Sequence, residues 1–233
     1  MTQKKMFVWL GLAVAAIFVL AFAPALWQMV RGPVPGAVPE HDLPWQVQAL
    51  PDGSSRVFGL ALGPGRLADA RARWPDNFQL ALLVDGTDAA TLEAYVENVQ
   101  LGFVSGRLIV SAMLPAAQMQ GLRERASKIE PLASGAHRYT LAAQDLALAD
   151  GASLRGISLI PALQLDAALV QQRFGAPAER LQLQGLEHWL YPALGLAISL
   201  DPKGKELLQY VAPADFSARL REPLLALQKS GAQ

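Results

Sequence analysis

Three histidines are the side chains of this chain that can most readily ligate a metal or move a proton near neutral pH. His41 lies in a proline-rich stretch, His137 in a predicted turn and His188 in a predicted strand. A metal site needs a rigid scaffold and ligands at a fixed spacing, and no two histidines are spaced as His-x-x-x-His. We therefore predict no metal site, a solvated His137, and a His188 at the rim of its strand that is not a base.

The serines show no partner that would make them nucleophiles. Ser105 lies in GFVSG, which departs from the Gly-x-Ser-x-Gly elbow of hydrolases, and Ser158 stands in a predicted strand with no base beside it. The turn Gly63–Arg66 precedes a helix and could hold an anion through its N–H groups, but no Gly-x-x-x-x-Gly-Lys supports phosphate binding. The candidate acids are scattered along the chain: Glu93, Glu97, Asp145 and Asp166. We predict a chain that is not an enzyme, with no catalytic residues and no cofactor.

Charge and cysteine content exclude further classes of protein. The 233 residues include 20 basic and 20 acidic side chains, so the formal net charge is zero and no basic field exists to attract nucleic acid. The chain has no cysteine, which excludes disulfides, thiolate metal sites and a lipidated N-terminal cysteine.

The uncharged stretch Phe7–Val30 is predicted to be a transmembrane helix. Twenty-four residues at about 1.5 Å each reach about 36 Å, more than the ~30 Å of a hydrocarbon core. Lys4 and Lys5 place residues 1–6 in the cytoplasm and the remaining chain in the bacterial periplasm. Ala21–Ala23 has the form of a signal-peptidase site, but the apolar stretch runs on and Pro24 follows the candidate bond. We therefore expect a single-pass inner-membrane anchor that is not cleaved.

Prolines mark residues 31–52 as an extended linker, and two similar segments follow it. Val57–Trp74 and Ile157–Phe174 each read as a strand, a turn and a short helix that ends at an aromatic residue. We predict an α+β fold in which two similar units, 53–130 and 131–213, each place short helices on antiparallel sheets. We expect both units to share one topology and both Trp74 and Phe174 to be largely buried. A C-terminal helix and tail occupy 214–233.

The pattern of apolar residues predicts the other elements. Leu92–Gln100 is expected to be a strand, although Leu92, Tyr95 and Val99 would also share one face of a helix. Pro115 is expected to open a helix to about Lys128, with an apolar face that includes Ile129. The remaining predicted strands are Val57–Leu62, Gln79–Val84, Arg107–Leu114, Ile157–Ile160, Leu181–Leu183, Glu187–Tyr191, Gly195–Asp201 and Lys205–Ala212, with a turn at Asp201–Gly204. The last helix is expected to be capped by Asp215 and to turn these side chains inward: Phe216, Leu220, Leu224 and Leu227.

The segment Leu165–Val211 resembles a known family. Its helix ends in RFGAPAER, a strand follows, and HWLYPALGLAISLDPKGKELLQYV comes after it. This order resembles the SmpA/OmlA domain of the small lipoprotein of the outer-membrane β-barrel assembly machine, which the related β-lactamase inhibitory protein carries twice. The resemblance implies a pair of helices on a three-stranded antiparallel sheet, and protein binding without catalytic residues. The lipobox cysteine is absent, so the family's partner is not carried over.

Three hypotheses for function follow from these observations. The first is an accessory or scaffold subunit that holds another envelope protein in the periplasm. The second is a module that binds a small molecule or lipid in a groove between the two units. The third is a hydrolase whose site is assembled from distant residues.

Overall fold

The computed structural model of the protein describes residues 42–201 and 204–230. The predicted cytoplasmic tail, the predicted membrane span Phe7–Val30 and residues 31–41 of the linker lie outside the described residues, as do two residues of the predicted turn at Asp201–Gly204. None of the helices in the described part is both long and apolar enough to cross a membrane.

The described residues form an α+β domain, which confirms the predicted fold class. The strands are β1 Gln48–Ala49, β2 Ser55–Val57, β3 Leu60–Leu62, β4 Phe78–Val84, β5 Ala90–Leu101, β6 Val104–Met113, β7 Lys128–Pro131, β8 His137–Thr140, β9 Ser153–Pro161, β10 Glu179–Leu183, β11 Leu186–Tyr191, β12 Leu196–Leu200 and β13 Leu207–Tyr210. The helices are α1 Leu67–Arg73, α2 Ala116–Glu124, α3 Leu146–Asp150, α4 Ala167–Phe174 and α5 Glu222–Ser230.

One antiparallel sheet of ten strands organises the domain. Its strand order is β10-β11-β12-β13-β9-β6-β5-β4-β8-β7, and a separate three-stranded sheet has the order β1-β2-β3. The centre of the large sheet is the pairing of β6 with β9, which runs from Gly106 opposite Pro161 to Met113 opposite Ser153. This pairing joins strands from the first half of the chain to strands from the second half.

The two faces of the large sheet differ because apolar and polar residues alternate along its strands. In β5, Leu92, Ala94 and Val96 are buried, whereas Glu93 and Tyr95 point to the opposite side and are partly exposed. This period of two confirms the strand and rules out the helical alternative for this segment. The buried side of the sheet forms one continuous core with the small sheet and helices α1, α2 and α4.

The predicted division into two equivalent units needs correction. The boundary between residues 130 and 131 falls inside β7, and the ten-stranded sheet and its core run through both predicted units. The shared part is a helix followed by a three-stranded meander, as α1-β4-β5-β6 and as α4-β10-β11-β12. The strands before these helices differ, because β3 belongs to the small sheet and β9 to the large one. The prediction of one shared topology is therefore wrong beyond the helix and the meander.

Two predicted elements end early because a tight turn or a new strand interrupts them. Val57–Leu62 divides into β2 and β3 at Phe58-Gly59, whose φ angles of 53° and 78° suit a two-residue hairpin turn. The helix expected to reach Lys128 ends at Glu124, because Lys128–Pro131 pairs with β8. Ile129 is therefore 56% exposed on an edge strand instead of facing the core.

Most of the surface of Trp74 and of Phe174 is buried against the core, as predicted, although neither residue is fully buried. Each lies at the C-terminal end of a helix of seven or eight residues, at the margin of the core. The guanidinium of Arg73 lies 5.5 Å from the ring centroid of Trp74 and so covers part of its outer side. Short helices bury their central positions, and their last residues stay partly accessible.

The C-terminal segment covers part of the second face of the large sheet. Phe216 and Leu220 are buried against Leu190 and Ala197, as predicted. A π-helical turn at Ser217–Arg221 leads into α5, so the α-helix begins later than the predicted cap. Leu227 is 47% exposed, which contradicts its predicted inward position. The ion pair between Arg221 and Glu179, with an N–O distance of 2.7 Å, fixes this segment to β10.

We expect Gly195→Ala to be among the costlier single-methyl changes in the domain. Gly195 has a φ of 64°, and an added Cβ would overlap the carbonyl oxygen of Val211. Gly185 has a φ of 83° but open space around its Cβ position, so it is a matched control. Chemical denaturation should show a loss of about 2–4 kcal/mol for Gly195→Ala and about 1 kcal/mol for Gly185→Ala. Equal losses would contradict the close approach of β12 and β13 at this point.

Candidate functional site

His41 lies outside the described residues, and of the two histidines in the described part His188 is the one that lies beside another reactive group. It lies on β11 opposite Ser199 of β12, and its Nδ1 is 2.8 Å from the Ser199 Oγ. Both side chains are more than nine-tenths buried, which corrects the predicted rim position of His188. Burial lowers the pKa of His188, so the imidazole is neutral at neutral pH.

This histidine–serine pair is a buried cross-strand contact. A serine nucleophile needs access to substrate and a base that a third group orients. No group of three or more histidine, cysteine or acidic side chains capable of holding a metal is found among the described residues. The neutral ring and the hydroxyl each satisfy the other's hydrogen bond inside the sheet, which is the requirement for burying polar groups there.

The other predicted candidates have local structural roles. The Oδ1 of Asp166 accepts a bond from the N–H of Leu169 and caps α4, and Asp145 accepts a forked bond from Arg125. The N–H of Arg66, in the glycine-rich turn, donates to the carboxylate of Asp69 at 2.8 Å. That donor, which could have met an anion, is therefore used within the protein.

The central part of the large sheet has one face that the described helices leave open. A row of side chains crosses five neighbouring strands on this face, and successive members lie directly opposite one another. Every member is partly or fully exposed, whereas the residues on either side of it along the strand are mostly buried. We call this surface the open face and define it by the row Gln79, Tyr95, Ile109, Ser158 and Gln209.

A polar cluster surrounds Tyr95 on the open face. The Tyr95 hydroxyl donates to the Oε2 of Glu93 at 2.8 Å, and the guanidinium carbon of Arg138 lies 5.4 Å from the ring centroid. Burial, followed by the bond to Glu93, raises the pKa of Tyr95 to about 12, so the phenol is uncharged at physiological pH. The Nε of Arg138 has no hydrogen-bond partner among the described residues. Tyrosine and arginine are the side chains most often found to dominate binding energy at protein interfaces.

An aromatic cluster lies at a second place on the surface, where the chain enters the domain. The ring centroid of Trp45 is 5.6 Å from that of Phe103 and 6.3 Å from that of Phe174. The guanidinium carbon of Arg173 lies 4.7 Å from the Trp45 centroid. Phe103 is 53% exposed at the tip of the turn between β5 and β6, where Gly102 supplies a φ of 59°. We call Trp45, Phe103 and Phe174 the aromatic cluster.

Four surface grooves have volumes of about 440–700 Å³, and all are open to solvent. The most apolar of these has a volume of about 500 Å³ and lies between β6 and α2, where it is lined by Met113, Met119 and Arg123. Small-molecule sites usually enclose most of their ligand. These grooves therefore give no support to a ligand site between two units.

Comparison with known proteins found no match: no protein-family profile, no characterised protein and no solved structure is similar to the chain.

Sequence reasoning did not identify either surface. The open face depends on the neighbours of β6 and β9, which are about fifty residues apart in the chain, and no local pattern encodes that pairing. The aromatic cluster joins the linker, a hairpin turn and the end of a helix. The exposure of Phe103 could have been predicted from GFVSG, because a large apolar residue at the tip of a predicted turn has no strand neighbour to cover it.

We expect the free energy of unfolding to fall as the pH is lowered from about 7 to 5. The folded-state pKa of His188 lies below its ordinary value of 6.5, so the unfolded chain binds more protons in this range. The stability that the neutral His188 contributes is fully present at pH values above its pKa in the unfolded chain. It is lost as the pH falls towards its pKa in the folded protein. His188→Gln should reduce the slope in denaturation measurements, and His137→Gln at an exposed position is the control. An unchanged slope in His188→Gln would contradict the buried neutral imidazole.

Proposed function

We propose that the chain is a non-catalytic, single-pass protein of the bacterial inner membrane whose periplasmic domain binds another envelope protein through the open face. The observation that carries this proposal is the uncovered row of Tyr95, Ile109 and their neighbours in the middle of a ten-stranded sheet. Antiparallel sheets commonly pack one face on the core and leave the other face to solvent, and the solvated face is then polar. This face mixes aromatic, aliphatic, polar and charged side chains.

The size of the open face fits a protein partner. Five strands at about 4.8 Å span roughly 24 Å, and six residues along a strand span roughly 20 Å. The resulting flat area of about 500 Å² is of the order of one side of a standard protein interface, which buries about 800 Å² of accessible surface per partner. Non-obligate interfaces have a mixed composition of this kind.

The charges on the open face support binding to a specific partner rather than nonspecific association. Glu93 and Glu97 lie on β5, and Arg107 and Arg138 lie on β6 and β8. Both signs are present on one surface, so a partner must match their arrangement. Mixed charges also keep such a surface soluble when the partner is absent.

The membrane anchor, the periplasmic location and the SmpA/OmlA resemblance are parts of the same proposal. The uncharged stretch Phe7–Val30, preceded by Lys4 and Lys5, supports the anchor and its orientation. The resemblance over Leu165–Val211 is supported by the three-stranded antiparallel meander β10-β11-β12, although one helix precedes it where the family implies two. An internal repeat is proposed only for the helix and meander that occur twice.

Site-specific photo-crosslinking in intact membranes tests the proposed binding surface. A photoreactive amino acid at Ser158 or Gln209, both on the open face, should give one discrete adduct with a second protein. The same amino acid at Gln118, exposed on α2, is the control and should give none.

Ile109→Arg should abolish the Ser158 adduct, because Ile109 lies directly opposite Ser158 and a charge there disrupts the contact. Ile109 is partly exposed, so the folded protein tolerates the change better than it would at a core position. Adducts of equal yield from Ser158, Gln209 and Gln118 would contradict the proposal. So would an Ile109→Arg variant that is folded by circular dichroism and crosslinks as before.

A further inference from the structure

We infer that the aromatic cluster rests on the surface of the lipid bilayer and so sets the orientation of the domain above the membrane. This inference rests on the membrane anchor of the proposed function and adds a second contact, separate from the open face. The occupant of the aromatic cluster is therefore the headgroup and upper acyl region of the membrane.

The position of the aromatic cluster along the chain is the first argument. The entering segment is fixed to the domain, because Leu43 is buried and the Pro44 carbonyl accepts a bond from the Tyr210 hydroxyl at 3.0 Å. Trp45 is the next residue, so the cluster lies where the chain arrives from the proposed anchor. The eleven intervening residues 31–41 can span at most about 40 Å, the length of a fully extended chain. The cluster can therefore reach the membrane surface.

The shape of the aromatic cluster is the second argument. Phe103 stands at the tip of a two-residue turn, 53% exposed, and Leu163 in the neighbouring loop is 38% exposed. The N–H of Ala162 donates to the carbonyl of Ser105 at 2.8 Å and holds that loop beside the turn. Phe103 therefore projects beside Trp45, and Leu163 is exposed in the loop that is bonded to the start of β6. Tryptophan and phenylalanine on a polar rim are typical of surfaces that lie in the membrane interface.

The charge around the aromatic cluster is the third argument. The guanidinium of Arg173 stacks on Trp45, with its carbon 4.7 Å from the ring centroid. A cation beside an apolar tip matches the phosphates of lipid headgroups.

Spin labelling of the full chain in proteoliposomes tests the membrane contact. The chain has no cysteine, so single cysteines can be introduced without a background signal. Leu163→Cys places a nitroxide beside the intact aromatic cluster, and Ser134→Cys places one in an exposed turn at the opposite end of the strands. A third variant, Leu20→Cys, reports on the proposed anchor. The vesicles contain phosphatidylethanolamine and phosphatidylglycerol.

The nitroxide at position 163 should collide more often with oxygen, which concentrates in lipid, than with a water-soluble nickel chelate. The nitroxide at position 134 should show the reverse. Phe103→Ser in the Leu163→Cys background should lower the ratio of lipid-exposed to water-exposed labels at position 163 about tenfold. Burial of one large apolar side chain corresponds to at least that factor in an equilibrium constant.

Three other outcomes would each contradict the inference, and the labels at positions 163 and 20 distinguish them. A label at position 163 that is freely accessible to the nickel chelate, with a lipid-exposed label at position 20, contradicts the membrane contact and leaves the anchor intact. A label at position 163 shielded from both reagents shows that a protein or a second copy covers the aromatic cluster. A water-exposed label at position 20 contradicts the anchor itself.

Discussion

The antiparallel pairing of β6 with β9 is the contact on which the rest of the structure depends. It joins a set of strands from residues 78–140 to a set from residues 153–210 and so makes one sheet of ten strands. Gly106 permits the close approach of β6 to β9, because a Cβ there would meet the carbonyl oxygen of Ile160 at 2.6 Å. Gly156 of β9 does the same towards β13, where a Cβ would meet the carbonyl oxygen of Tyr210 at 2.9 Å. Without this pairing the core would divide, and Ile109 and Ser158 would no longer lie side by side at the centre of the open face.

The two faces of the sheet have different roles in the domain. The inner face is covered by short helices and the small sheet, and it supplies the stability through one continuous core. The outer face is covered by the C-terminal segment at β10–β12 and the end of β13, and Arg219 of this segment also donates to the carbonyl of Arg155 on β9. The open face lies on the part of the outer face that the C-terminal segment leaves uncovered. The aromatic cluster lies apart, at the entry of the chain. Contact with lipid there and with a protein on the open face would not compete for the same residues.

Local patterns predicted the elements well where a strand alternates cleanly. In β5 the buried Leu92, Ala94 and Val96 follow a period of two, and α4 ends at Phe174, as predicted. The prediction failed where long-range pairing decides the outcome. Lys128–Pro131 looked like the end of a helix and became an edge strand, because β8 offers it backbone partners.

The position of a side chain on the sheet was equally hard to predict from the sequence. His188 stands in a stretch with a polar neighbour and reads as a rim residue, yet Ser199 provides a hydrogen-bond partner from a different strand and allows its burial. Tyr95 and Ile109 read as ordinary strand residues, and their importance depends on which helices fail to cover them. These features arise from the order of the strands, which no local window of sequence contains.

The central claim is that a partner protein covers the open face in the membrane. The reaction rate of a cysteine placed on that face tests this claim most directly. A single Ser158→Cys variant should react slowly with a hydrophilic maleimide in native membranes and quickly after purification, because the proposed partner protein would cover the open face only in the membrane. Ser134→Cys, in an exposed turn, should react at the same rate in both states. Equal reaction rates for Ser158→Cys in membranes and in the purified protein would contradict the account.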